Sequence, residues 1–215
     1  IIEDRFAVLE SWLAPRLIDL VQKCSDTQHQ FDGEEDATLA MLFALQLSRF
    51  PQIKEKIQRS DAIGNLEKNY IYASFVHSHQ AAIAYLNQNN VTIHPDLLND
   101  NDGKTLIDTI ASYLLSSCYF YAIDATNADE KFVIADQSVQ ITPFEDVQYL
   151  CPISPDFAVA CCEFATARGN QTESVVVATN ELVRRINIQS RKQCRKFLIA
   201  QGFTVTYKLF LEGWI

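Results

Sequence analysis

An α+β fold is predicted by three observations. Apolar residues recur at helical spacing from residue 5 to about 117, strand-like runs dominate from Cys118 onward, and no Gly-, Pro- or Ser-rich linker or internal repeat separates the two stretches. Helices followed by strands favour an antiparallel sheet over alternating βαβ units. The expectation is one domain over residues 1–215. Its helical N-terminal half (about 1–117) packs on a C-terminal antiparallel sheet (about 118–215), and a late basic helix and a final strand close the chain.

Each element has its own signal. Phe6, Leu9, Leu13, Leu17 and Leu20 mark a first helix, in which Pro15 either makes a kink or opens a second helix. Ser25 to Asp32 is polar and reads as a loop. Residues 36–49 are almost continuously apolar from Leu39 to Leu47, which predicts a helix buried on most sides and ended or restarted at Pro51. Residues 67–88 place Tyr72, Phe75, Val76, His79, Ile83 and Leu86 on one helical face. Asn87 to Gly103 is a loop rich in Asn and Asp, and Leu106, Ile107, Ile110 and Leu114 define a further helix.

Cys118–Ile123 and Lys131–Ala135 read as the two strands of a hairpin around a turn at Asp124–Glu130. Val139–Thr142, Tyr149–Ile153 and Phe157–Phe164 are further strands, and Ala167–Thr172 is a turn. Residues 176–198 read as helix with a break near Asn187. The alternation of Phe203, Val205, Tyr207, Leu209 and Leu211 is that of a half-buried strand.

The composition narrows the function classes. A chain of 215 residues, 48% of them hydrophobic and 23 aromatic, can bury a substantial core. A net charge of −9 argues against nucleic-acid binding over the whole surface and leaves room for a local basic patch. The six cysteines form no C-x-x-C pair and lie mostly in apolar stretches. Zinc spacing is absent, and they read as buried free thiols rather than disulfides, which points to a reducing, cytoplasmic compartment. No apolar run is long enough to span a bilayer. No cofactor fingerprint, phosphate loop or nucleophile elbow is present. His77 and His79, two apart on a helix, do not make a metal pair, and the acids around Asp96, Asp100 and Asp102 do not meet the calcium-loop pattern.

Several stretches share an order with a known family. Glu10-Ser-Trp-Leu-Ala-Pro15 is followed by Glu34-Glu35-Asp36 and an apolar helix ending Gln46-x-x-Arg49-x-Pro51. Then come Phe132-Val-Ile-Ala-Asp136-Gln-Ser-Val139, Leu150-Cys-Pro-Ile-Ser154-Pro155, and Ile186-Asn187 with Arg191 to Arg195 downstream. In this order, over residues 10 to about 200, they resemble domain-of-unknown-function family 4238, which is mainly bacterial. The family's opening His-Tyr-Val-Pro-like segment has no counterpart here, so the resemblance implies that this sequence lacks that N-terminal segment. Gln137-Ser138 stand where Asn-Pro is usual after the aspartate. The family supplies no established activity.

Two function classes follow, an interaction protein and an enzyme. Residues 184–196 hold Arg184, Arg185, Arg191, Lys192, Arg195 and Lys196 with no acid among them. On one helix they would line two neighbouring faces and contact a protein or nucleic-acid partner. This interaction module is the main expectation. The rival is a hydrolase acting on an anionic, phosphate-containing substrate, built where Gln46, Arg49, Asp136 and Asn187 converge on one pocket. Asp136, at a strand end, would be its general base or hold a metal. Arg49, at the end of a buried helix, would bind substrate charge, pair with Asp136 or cap helix carbonyls.

Overall fold

The computed structural model describes residues 2–49, 55, 57–61, 64–88, 104–136, 138–141, 147–164, 174–194, 197–200 and 203–206. Among the described residues the helices include α1 (Ile2–Lys23), α2 (Gly33–Ser48), α3 (Asn65–Ser74), α4 (His79–Gln88), α5 (Leu106–Ser117) and α6 (Asn180–Gln193). The strands are β1 (Cys118–Asp124), β2 (Ile134–Ala135), β3 (Gln140–Ile141), β4 (Tyr149–Pro152), β5 (Phe157–Glu163), β6 (Val175–Val177), β7 (Phe197–Ala200) and β8 (Phe203–Thr206). The chain is α+β, with its helices mainly first, as the sequence predicts. Most of the expected loop from Asn87 to Gly103, the turn at 167–172, Pro51, and the strand beyond Thr206 lie outside the described residues.

The chain divides into two compact units, Ile1–Leu13 with Ala40–Leu114 and Ala14–Leu39 with Leu115–Ile215. In the first unit the C-terminal part of α2 is buried nearly all round, with Phe43, Ala44 and Leu45 at 1% exposure or less. The single helix expected over 67–88 is two, α3 and α4, packed through Ala73, Ala82 and Leu86. The chain turns between them at Phe75–Ser78, and the Phe75 carbonyl accepts from the Ile107 amide at the start of α5. Pro15 does not divide α1, which runs on as one helix with Leu13 and Leu20 buried. A proline this deep in a helix removes one backbone bond, and burial of apolar neighbours holds the helix through it.

The second unit holds a five-stranded sheet, order β3-β4-β5-β1-β6, and a three-stranded sheet, order β2-β7-β8. All pairs are antiparallel except β1 with β6. The hairpin expected from residues 118–135 does not form. β1 pairs with β5 across its whole length, whereas β2 joins β7 in the other sheet. The segment that leads to β2 is drawn away by other partners. Phe132 donates its amide to the Pro155 carbonyl, and Lys131 bonds the carbonyls of Ala125 and Thr126 and pairs with Asp156 at 2.8 Å.

α6 packs on one face of the larger sheet. Thr179 caps it, accepting from the Leu182 amide, and the helix runs unbroken past Asn187. Val183 and Ile186 pack on Ile123, Leu150, Ala158 and Ala160 of the sheet and on Phe132. Asn187, 3% exposed, accepts the Val133 amide at 2.8 Å and donates to the Lys131 carbonyl at 2.9 Å. Gln140 on β3, fully buried, donates to Ser190 Oγ and to the Ile186 carbonyl. Asn187→Ala leaves a buried amide and carbonyl without partners and should destabilise the second unit by about 1–3 kcal/mol. Urea denaturation measures this. A loss within error of zero would show that the amide does not hold α6 in place.

Candidate functional site

The outer face of α6 is the most strongly patterned polar surface that the described residues present. Its inward residues Val183, Ile186, Asn187 and Ser190 are at most 3% exposed. The opposite face carries Arg184, Arg185, Ile188, Arg191 and Lys192, all exposed, with Glu181 at its start. The i, i+4, i+7 spacing of Arg184, Ile188 and Arg191 aligns them, and Arg185 and Lys192 flank the row. Ile188, 47% exposed, sits as an apolar centre among the cations. Arg191 and Lys192 lie in the last turn, where positive charge complements the helix dipole. Arg184 Nε bonds Glu130 Oε1 at 2.9 Å, which raises its pKa; both side chains are about half exposed, so the pair adds little stability.

This accounts for the residues expected at the basic cluster in part. Arg184 and Arg191 lie in one exposed row and Arg185 and Lys192 on the face next to it. The helix ends at Gln193, where Cys194 takes extended dihedrals (φ −60°, ψ 133°); Arg195 and Lys196 lie outside the described residues.

The residues expected to converge on a catalytic pocket fall in different units. Gln46 and Arg49 belong to the first, and Asp136 and Asn187 to the second. Arg49 forms an ion pair with Glu10, and its guanidinium lies 4.4 Å from the Phe6 ring centroid. Asp136 follows β2 and is partly buried. Asn187 has both ends of its amide on backbone groups.

One charged cluster has no counterpart in the sequence reading. Glu35, 6% exposed, accepts from Lys23 Nζ (3.0 Å), from His29 Nε2 (3.0 Å to each oxygen) and from the Asp32 amide (2.9 Å). Asp32 Oδ1 in turn accepts from the Glu34 and Glu35 amides. This is a reciprocal cap at the start of α2, and Asp32-x-x-Glu35 before an apolar run is its sequence signal. Beside it is a pocket of about 260 Å³ lined by Arg16, Asp19, Lys23, Glu34 and Thr38 among others. The Lys23 ammonium is held above its ordinary pKa by Asp19 first and then by Glu35.

An α+β protein that shows a cationic helix face is the class these features define. The chain belongs to a family of proteins of unknown function, DUF4238, whose model matches residues 1–202. Neither a curated protein nor a solved structure matches it.

In the first unit, His77 stacks on Tyr85 (5.3 Å, 19°) with Nε2 buried and unbonded. Burial, and then Arg5, hold its pKa below the ordinary 6.5. The unfolded chain therefore takes up the proton first as pH falls. The stability contributed by neutral His77 is fully present above about pH 6.5 and declines below it. In thermal melts between pH 7 and pH 5, His77→Gln should lose less stability on acidification than the parent. Equal losses would contradict this.

Proposed function

We propose that this protein is an interaction module that holds an anionic macromolecular partner, protein or nucleic acid, against the outer face of α6. The observation that carries this reading is the division of α6 into two faces. One is almost fully buried and fixed by Asn187 and Gln140, and the other gathers Arg184, Arg185, Arg191 and Lys192 around exposed Ile188. Cations held on a rigid helix steer an anionic partner at low salt, and an apolar centre adds contact area. The net charge of −9 supports confinement of that attraction to this face. A hydrolase pocket is not favoured: Asn187 is engaged with backbone, and Arg49 with Glu10 and Phe6.

A cytoplasmic setting goes with this reading. All six cysteines are buried free thiols, as a reducing compartment keeps them. Among the described residues no helix is long and apolar enough to cross a membrane.

Two labelled probes test the proposal, a mixed-sequence single-stranded oligonucleotide and a polyglutamate peptide. At least one should bind, with affinity falling as salt rises. Arg191→Ala with Lys192→Ala should then flatten the slope of log K against log salt, for the oligonucleotide by about 1.4, or about 0.7 for each cation removed. An unchanged slope, or binding of neither probe, would refute it.

A further inference from the structure

Exposure rises along the sheet face on which α6 packs, from Ala160 and Cys162 at 0% to Phe164 at 57%. Register places Gln140, Leu150, Ala160 and Tyr121 in one row across β3, β4, β5 and β1, and Cys162 opposite Tyr119 in the row two residues on. Alternation then puts Tyr119, Tyr121 and Cys162 on the same face, and Phe164, just past the end of β5, meets that face through its ring contact with Tyr119. α6 packs on this face through Ile186 and Val183, and Tyr121 lies against the edge of that cluster. Beyond Tyr121 the face carries aromatic rings. Tyr119 and Tyr121 stack with centroids 6.3 Å apart and planes at 23°, and Tyr119 and Phe164 are 6.0 Å apart at 35°. Phe164, the outer ring of the row, is 57% exposed. The opposite face of the same strands is closed, with Cys118, Phe120, Ala122, Val159 and Cys161 all buried.

We infer that the partner is a single-stranded nucleic acid, with an unpaired base stacked on the Phe164 end of this ring row and the backbone phosphates on the α6 cations. The inference rests on the reading of α6 given above and names its partner. A row of rings, two stacked and the exposed outer one tilted by 35°, offers a surface for one more flat ring, and every nucleobase has such a face. The cations needed for the phosphates are within a short stretch of strand. Ser190, on the sheet-facing side of α6, bonds Gln140; Phe164 is about 13 Å along the β5 direction and about 10 Å across two strands from that point, and the cations stand about a further 10 Å above the sheet, on the outer side of the helix. Glu163, the acid beside Phe164, pairs opposite Cys118 and so belongs to the closed face. It also bonds Gln148, at 2.8 Å. A duplex keeps its bases stacked on each other and offers none to the row.

The test uses the full chain and a single-stranded oligonucleotide carrying 2-aminopurine. Binding should quench the probe. Phe164→Leu and Tyr119→Leu keep apolar bulk but remove the ring, and each should weaken binding about five- to 150-fold without changing the salt slope. The annealed duplex should bind more weakly than the single strand. Equal affinity of the Leu variants and the parent would overturn the inference, as would equal binding of duplex and single strand. In both cases a salt slope that still depends on Arg191 and Lys192 would leave the α6 reading intact. Binding of polyglutamate with none of the oligonucleotide would likewise overturn the nucleic-acid partner alone. If neither probe bound, both readings would fall.

Discussion

The Asn187 side chain is the point on which the second unit turns. Its amide bonds both the Val133 amide and the Lys131 carbonyl, in a stretch of chain that is neither helix nor strand. Backbone groups buried outside regular structure need a partner, because leaving them without one costs on the order of 1–3 kcal/mol each. Asn187 supplies it from the buried side of α6 and so ties the segment between β1 and β2 to the helix. That bond fixes the rotation of α6, and the rotation decides what faces outward. Ser190, one turn later, repeats the arrangement with Gln140 on β3. Two buried polar contacts one turn apart make the exposed row of Arg184, Ile188 and Arg191 a consequence of packing.

The sheet follows the same economy. Phe157 to Cys162 of β5 are all buried, so both faces of the central strand are covered over that span. Small residues at Ala158 and Ala160 let Val183 and Ile186 approach closely. The cysteines fit this interior as small apolar groups. Burial raises the pKa of Cys24 and of Cys151 to about 12, which leaves them protonated and unreactive at neutral pH. From Tyr121, at the edge of the α6 cluster, through Tyr119 to Phe164 the same face carries large rings.

Local signals were legible in the sequence, and non-local pairings were not. The unbroken apolar run of α2, the strands β1 and β5, and the two-faced pattern of α6 are properties of short windows, and they were read close to their places. The hairpin of residues 118–135 was misread because nothing in those windows reports that Phe132 and Lys131 bond the Pro155–Asp156 turn or that Asn187 claims Val133. The predicted break at Asn187 was the same error seen from the helix: an amide in an apolar helix looks like an interruption until its backbone partners are known. Of the candidate site, the cations of α6 were visible as a charge run. Their end at Gln193 depends on Cys194, whose extended backbone no propensity announces. The ring row of Tyr119, Tyr121 and Phe164 needed the β1–β5 register, and the Glu35 cluster needed Lys23 and His29 to be brought to a capping pair that the sequence does show.

Hydrogen exchange at the Val133 amide tests the central claim most directly. Val133 lies just before β2, outside its ladder, so its protection must come from the Asn187 side chain. The amide should exchange slowly in the parent chain and faster by on the order of tenfold or more in Asn187→Ala. The Ala122 amide, bonded to the Ser174 carbonyl, should remain protected in both. A Val133 amide that exchanges at the same rate in the two chains would contradict the account, because the orientation of α6 and of its basic face would then not depend on Asn187.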